Sequence, residues 1–250
     1  MIHDTTVDSN SGRLIILVDD DLLVIDETVT SPIVHIESIN ARSVKSIHTE
    51  DRIMAITESG MLLLYQSSDF DLIGEYNLSA QGTGAMSPGV WDDALPSFVS
   101  VVEDDSTWIA HGCDLFWRAI NTSFNNWSFY DLCNSNPTQA PFSSIYATSD
   151  AVYLGTDGDG LIILERSGNE SMADIVWSNT TYHSTESGST STIRSDSISS
   201  IEMMDEQILV AGEGGVDRNH LPSNSWLSPW TTSNWLDSND VGNLITLSLI

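Results

Sequence analysis

Residues 150–166 read DAVYLGTDGDGLIILER. Two apolar runs, Ala151 to Leu154 and Leu161 to Leu164, flank a cluster of Gly, Thr and Asp. Runs of four to six residues rich in Val, Ile and Leu, bounded by Gly and Asp, have the length of strands rather than helices. Taken alone, the TDGDG cluster is a metal loop, a phosphate loop or a hairpin turn. The choice depends on whether the phrase recurs.

It does recur. The stretch belongs to FSSIYATSDAVYLGTDGDGLIILER, starting at Phe142. Related phrases start at Ile198 (ISSIEMMDEQILVAGEGGVDRN), Val44 (VKSIHTEDRIMAITESGMLLLYQSS) and Phe98 (FVSVVEDDSTWIAHGCDLFWRAIN). A fifth, VGNLITLSLI, starts at Val241. The starts at 44, 98, 142, 198 and 241 lie between 43 and 56 residues apart, within the range of propeller-type repeats. Unequal spacing with a constant pattern is expected when insertions fall in loops. Many of the apolar runs are continuous rather than alternating, so both faces of these strands should be buried. Four short strands per repeat, stacked radially, describe a β-propeller blade.

The expected architecture is therefore all-β: a β-propeller of four-stranded antiparallel blades, about five in number. Four are complete, and their quartets follow the four full phrases. Ahead of them LIILVDD, LLVIDE and IVHIESI (from Leu14, Leu22 and Ile33) read as strands two, three and four of a blade without its first strand. Residues 241–250 are a lone first strand. The two ends together would complete a fifth blade, pairing 241–250 with the strand near Leu14 to Val18 and closing the ring. The alternative is an arc cut from a larger propeller. Residues 1–12 are expected to be disordered or irregular, and residues 13–250 to form the propeller domain.

Two of the phrases, SSIYATSDAVYLGTDGDGLIIL and DSISSIEMMDEQILVAGEGGV, resemble the two-component-regulator propeller repeat. The third full repeat matches best, through Tyr153, Gly155, Thr156, Gly158 and Gly160. The fourth keeps Gly212, Gly214 and Gly215 without an aromatic in that strand. Trp108 and Gly112 match less well, and Thr57 with Gly60 least. WLDSNDVGNLITL resembles the opening of the repeat. The resemblance spans most of residues 40–250. It implies an extracytoplasmic sensor or binding domain, and it says more about architecture than about function.

Composition narrows the partners. The 250 residues carry 36 acidic and 8 basic side chains, a net charge of −28, with Lys45 the one lysine. No basic patch exists to neutralise phosphates, so nucleic acid is a poor partner, and so is an anionic membrane surface. An acidic shell keeps a protein soluble and attracts cations. No apolar run is long enough to span a membrane, and the start MIHDTTVDSNSG lacks a signal-peptide core. Cys113 and Cys133 are too few and too far apart in sequence for a usual zinc site. They are two buried thiols or, in an oxidising compartment, one disulfide. Asn-x-Ser/Thr sequons start at Asn77, Asn121, Asn126, Asn169 and Asn179, and they permit glycosylation of a secreted chain.

Among candidate sites, Asp157 and Asp159 alternate with glycines as in part of a calcium loop, but the following residues return to apolar strand where an EF-hand needs further ligands and a Glu. Asp-Gly suits a tight hairpin turn, the preferred reading, with calcium the alternative. A phosphate cradle lacks its Lys and following helix. Asp19, Asp20 and Asp21 read as a solvated turn, and Asp237 to Asp240 as a loop. Trp226, Trp230 and Trp235 either pack a blade or offer stacking platforms for sugar rings. His111 beside Cys113 and Asp114 has a ligand-like spacing. Asp92–Asp93 and Asp104–Asp105 are acidic pairs that glycosidase chemistry would have to hold at a defined separation. No nucleophile elbow, HExxH or dinucleotide fingerprint is present. The expectation is a non-enzymatic ligand-binding or protein-interaction module, extracellular or at the cell surface, with an unidentified ligand or partner for which a glycan is one candidate. The runner-up is a carbohydrate-active propeller using carboxylates near the central channel.

Overall fold

The computed structural model describes residues 2–8, 10–19, 21–25, 33–36, 39–57, 59–78, 97–102, 106–112, 114–120, 122–123, 126–132, 140–167, 176–182, 193, 195–204, 207–212, 215–220 and 225–227. The chain divides into two compact units, Met1–Ser135 and Asn136–Ile250.

The first unit holds three four-stranded antiparallel sheets. The first consists of β1 (Ile2–Asp8), β2 (Arg13–Val18), β3 (Asp21–Ile25) and β4 (Ile33–Ile36). The second consists of β5 (Ala41–Ile47), β6 (Arg52–Thr57), β7 (Met61–Gln66) and β8 (Leu72–Asn77), with a 3-10 turn, His48–Glu50, between β5 and β6. In the third are β9 (Ser97–Val102), β10 (Ser106–His111), β11 (Asp114–Ala119) and β12 (Ser128–Asp131). The second unit holds two more sheets: β13 (Phe142–Ala147), β14 (Ala151–Thr156), β15 (Leu161–Ser167) and β16 (Val176–Tyr182), then β17 (Ile198–Met204), β18 (Gln207–Gly212), β19 (Gly215–His220) and β20 (Ser225–Leu227). Strand order follows chain order in every sheet, so each is a meander.

The continuous apolar runs are buried on both faces, as their pattern requires. In the second sheet Ile53, Ala55, Leu63 and Tyr65 pack toward the first sheet, against Ile15, Leu17, Leu22 and Val24. Their sequence neighbours Met54, Ile56, Leu62 and Leu64 pack the other way, against Ile109 and Phe116 of the third sheet. Each of the Ile, Leu, Val, Met and Phe side chains taken from water is worth about 1.5–3 kcal/mol. A meander of six-residue strands thus gains two cores, one with each neighbour. In the second unit Tyr153, Leu161 and Ile163 of the fourth sheet meet Ile198, Ile201, Ile208 and Val210 of the fifth.

The first sheet departs from expectation. Residues 2–8 are not irregular: they form β1, which pairs antiparallel with β2 through Thr5 with Ile16, Val7 with Leu14 and Asp8 with Arg13. On its other side β2 pairs with β3. Both edges of the strand at Leu14 to Val18 are occupied, and the first sheet takes its first strand from the N-terminal residues rather than from 241–250. Residues 241–250 lie outside the described residues. The first strands expected at 44, 98, 142 and 198 are β5, β9, β13 and β17.

Candidate functional site

The TDGDG segment is the turn between β14 and β15. Thr156 closes it twice: its hydroxyl donates to the Gly160 carbonyl at 2.8 Å and accepts from the Asp159 amide at 2.9 Å. Gly158 has a φ of +123° with open space around the missing Cβ, so backbone conformation, not crowding, demands glycine there. Gly155 is the opposite case. A Cβ on it would lie 2.3 Å from Ser144 Oγ and 2.6 Å from Ile198 Cγ2, so its lack of a side chain lets the fourth and fifth sheets approach.

This turn fastens the segments that lead into two sheets. The amides of Gly158 and Gly160 both donate to the Asp196 carbonyl, at 3.0 and 2.8 Å, and the Asp157 amide donates to the Pro141 carbonyl at 3.1 Å. The carboxylates join in. Asp159 accepts from the Ala140 amide at 3.0 Å, and Asp157 accepts from the Ser197 hydroxyl. The two candidate ligands therefore share one turn but reach different segments, one before β13 and one before β17. Among the described residues no group of three or more His, Cys, Asp and Glu side chains is gathered as a metal site would need.

A second polar system lies in the first unit. Alternate residues of β1 face β5. Asp4 accepts from Ser43 Oγ at 2.8 Å and the Val44 amide at 2.9 Å, and it meets Lys45 Nζ at 3.4 Å. Thr6 Oγ1 accepts from the Ser46 amide at 3.2 Å. Asp8, fully buried, accepts from Ser67 Oγ at 3.0 Å, from the Asn10 amide at 3.2 Å and from Ser11 Oγ. Between the second and third sheets, Arg118, also fully buried, grips both Glu50 oxygens at 2.9 and 2.6 Å. Its guanidinium lies 5.8 Å from the Trp127 ring centre.

The remaining sequence candidates separate. His111 and Asp114 stand opposite each other at the β10–β11 turn, both buried, and burial pushes the His111 imidazole down to about 4. Asp19 sits in the β2–β3 turn and Asp21 opens β3. Trp226 lies in β20. Asp20, Asp92, Asp93, Asp104, Asp105, Cys113, Cys133, Trp230, Trp235 and 237–240 lie outside the described residues, and the disulfide question lies there with them.

No protein-family profile matches this sequence, and no curated protein does. Solved structures do. The chain is similar to U3-55K, with a TM-score of 0.63 at 10% identity over 89% of this chain and 62% of that one. It is similar to the RRP9 WD40 repeats, with TM-score 0.63, 10% identity and coverage of 89% and 61%. A third is the Cps50 (Swd1) β-propeller domain of Myceliophteria thermophila, with TM-score 0.58, 12% identity and coverage of 87% and 64%. The chain has the β-propeller fold. It spans about three fifths of the length of these propellers.

Each four-stranded sheet is thus a blade, and the β14–β15 turn of the repeat lies where the fourth and fifth blades join. Sequence reasoning missed the acceptor strip of β1 and the Arg118–Glu50 pair. Signals existed: Asp4, Thr6 and Asp8 recur at the strand period of two, and Arg118 is a lone charge inside the apolar run LFWRAI.

Proposed function

We propose that this propeller is a non-enzymatic interaction module that works outside the cytoplasm and binds a protein or glycan partner. One observation carries the reading. Asp4, Asp8, Glu50 and Asp157 each take a donor from a neighbouring blade or its leader, and Asp159 takes one from the leader of its own blade. The first four sit at joints between blades. A scaffold that places carboxylates at its joints is suited to presenting loops, the usual seat of binding on a rigid fold. The repeat's resemblance to the two-component-regulator propeller supports a sensor or surface-exposed role, and the WD40 propellers among the structural neighbours support protein interaction.

Two measurements test this. Intact producing cells are treated with an impermeant protease: cleavage of the chain supports an extracytoplasmic position, and protection with the cells intact overturns it. The purified chain is then incubated with a polysaccharide panel. Binding without turnover supports a module, whereas turnover lost on substituting one carboxylate makes the chain a carbohydrate-active enzyme. A calcium titration of the Tm, wild type against Asp157→Asn, addresses the turn. A calcium-specific rise lost in the variant makes the pair a ligand set. An equal response in both assigns these carboxylates to the joint alone.

A further inference from the structure

Three of the five sequon asparagines are among the described residues: Asn77 ends β8, Asn179 lies within β16, and Asn126 stands just before β12. Each is in the fourth strand of a blade or leads into it, and the fourth strand is an outer edge of its sheet. Asparagines associated with other strands, Asn10, Asn40 and Asn219, have no Ser or Thr two residues on.

Asn77 and Asn126 are the two whose surroundings the structure describes, and they form a pair. Both are exposed. Each sits beside an aromatic turned inward: Tyr76 belongs to the core between the second and third blades, and Trp127 packs against that core. The two rings are 6.3 Å apart. The middle residue of each sequon, fully buried Leu78 in one and Trp127 in the other, is anchored, while the acceptor amide is left outside. The two acceptors thus flank one seam between adjacent blades.

We propose that Asn77 and Asn126 are paired N-glycosylation sites covering the outer edge between the second and third blades. The inference rests on the extracytoplasmic reading above. The chemistry is a group transfer. The Asn side-chain nitrogen attacks the anomeric carbon of a lipid-diphosphate-linked sugar, the bond from that carbon to the phosphate oxygen breaks, and the lipid diphosphate leaves. The displaced amide proton passes to a base of the transferase. The serine at the third position of each sequon, Ser79 and Ser128, supplies the hydroxyl by which the transferase recognises the acceptor. The glycans would shield a surface that needs it. On β8 Leu72 and Ile73 are each 47% exposed, an apolar stretch on an edge strand that would otherwise invite pairing with another chain.

Glycopeptide mass spectrometry on the full chain, purified from the cells that make it, tests the proposal beside the protease treatment of those cells. The expected result is a sugar mass on the peptides containing Asn77 and Asn126, with each mass lost separately in Ser79→Ala and Ser128→Ala. Unmodified peptides from a chain that external protease cleaves would overturn the glycosylation sites and leave the extracytoplasmic reading standing. Unmodified peptides from a chain that external protease cannot reach would overturn both.

Discussion

Between the first and second blades the joint is made by side-chain acceptors: Asp4, Thr6 and Asp8 of β1 take hydrogen bonds from Ser43, Val44, Ser46 and Ser67. Between the fourth and fifth, backbone and glycine dominate. The Asp196 carbonyl takes two amides of the β14–β15 turn, and Gly155 leaves room for Ile198. Both joints sit beside apolar cores of similar make-up. The first fixes register with directional charged acceptors, which must be kept satisfied because burying a carboxylate is costly. The second fixes it by shape, which fails when a methyl group is added. One repeat therefore carries two kinds of joint, and each has its own vulnerability.

The largest effect is expected where the first unit buries full charges. Glu50→Gln leaves the Arg118 guanidinium buried without its carboxylate and should cost about 3–5 kcal/mol. Urea unfolding measures the loss, and hydrogen exchange should place it at β5, β6, β10 and β11. A loss below about 1 kcal/mol would show that the pair behaves as a surface bridge, and the contrast between charged and uncharged joints would collapse.

Next comes acid. His111 is held near 4 by burial against an ordinary value of 6.5. The unfolded chain therefore takes up a proton before the folded one does. The stability that the neutral His111 contributes is present above pH 6.5 and is lost as pH falls from 6.5 toward 4, up to about 3 kcal/mol. His111→Gln should flatten the Tm profile in that window. An unchanged profile would move the acid sensitivity elsewhere.

In the second unit, Gly155→Ala should cost about 1–3 kcal/mol through overpacking, and Gly158→Ala about 1–2 kcal/mol through its positive φ alone. Calorimetry on the two variants sharpens the comparison, because only Gly155→Ala should loosen hydrogen exchange at Ile198 and its strand. Salt should act on the exposed charge and spare the buried pair: with a net charge of −28 the Tm should rise by several degrees, roughly, from dilute buffer to molar NaCl, and by the same amount in Glu50→Gln. The smallest effect is expected at two buried hydroxyls without hydrogen-bond partners, one in each unit: Thr107→Val and Ser144→Ala should shift stability by no more than about 0.5 kcal/mol, in the stabilising direction.

The blades were legible because their strands obey one rule. IMAIT, LLLY and LIIL are apolar without alternation, and a strand with two covered faces has no other composition open to it. Thr156 to Gly160 were legible as a turn, since two Asp-Gly steps leave few alternatives. The first strand was not. In IHDTTVD the residues facing the neighbouring blade are Asp4, Thr6 and Asp8, so the polar side is the inner one and Val7 is exposed. A period-two pattern with its polarity inverted reads as irregular. The partners of Asp157 and Asp159 were hidden for another reason: Ser197 comes from the leader of the next blade and Ala140 from the leader of the same blade, both distant in sequence, and only the folded blades bring them to one turn.

The double acceptance by Asp196 has a consequence for synthesis. The β14–β15 turn leaves the ribosome with the amides of Gly158 and Gly160 still lacking the acceptor they use in the finished protein. That acceptor follows nearly forty residues later, a delay of a few seconds at roughly 5–20 residues per second. The hairpin is thus provisional until the leader of its successor arrives, and a pause in translation between the two would prolong the interval in which the fourth blade stands unlatched.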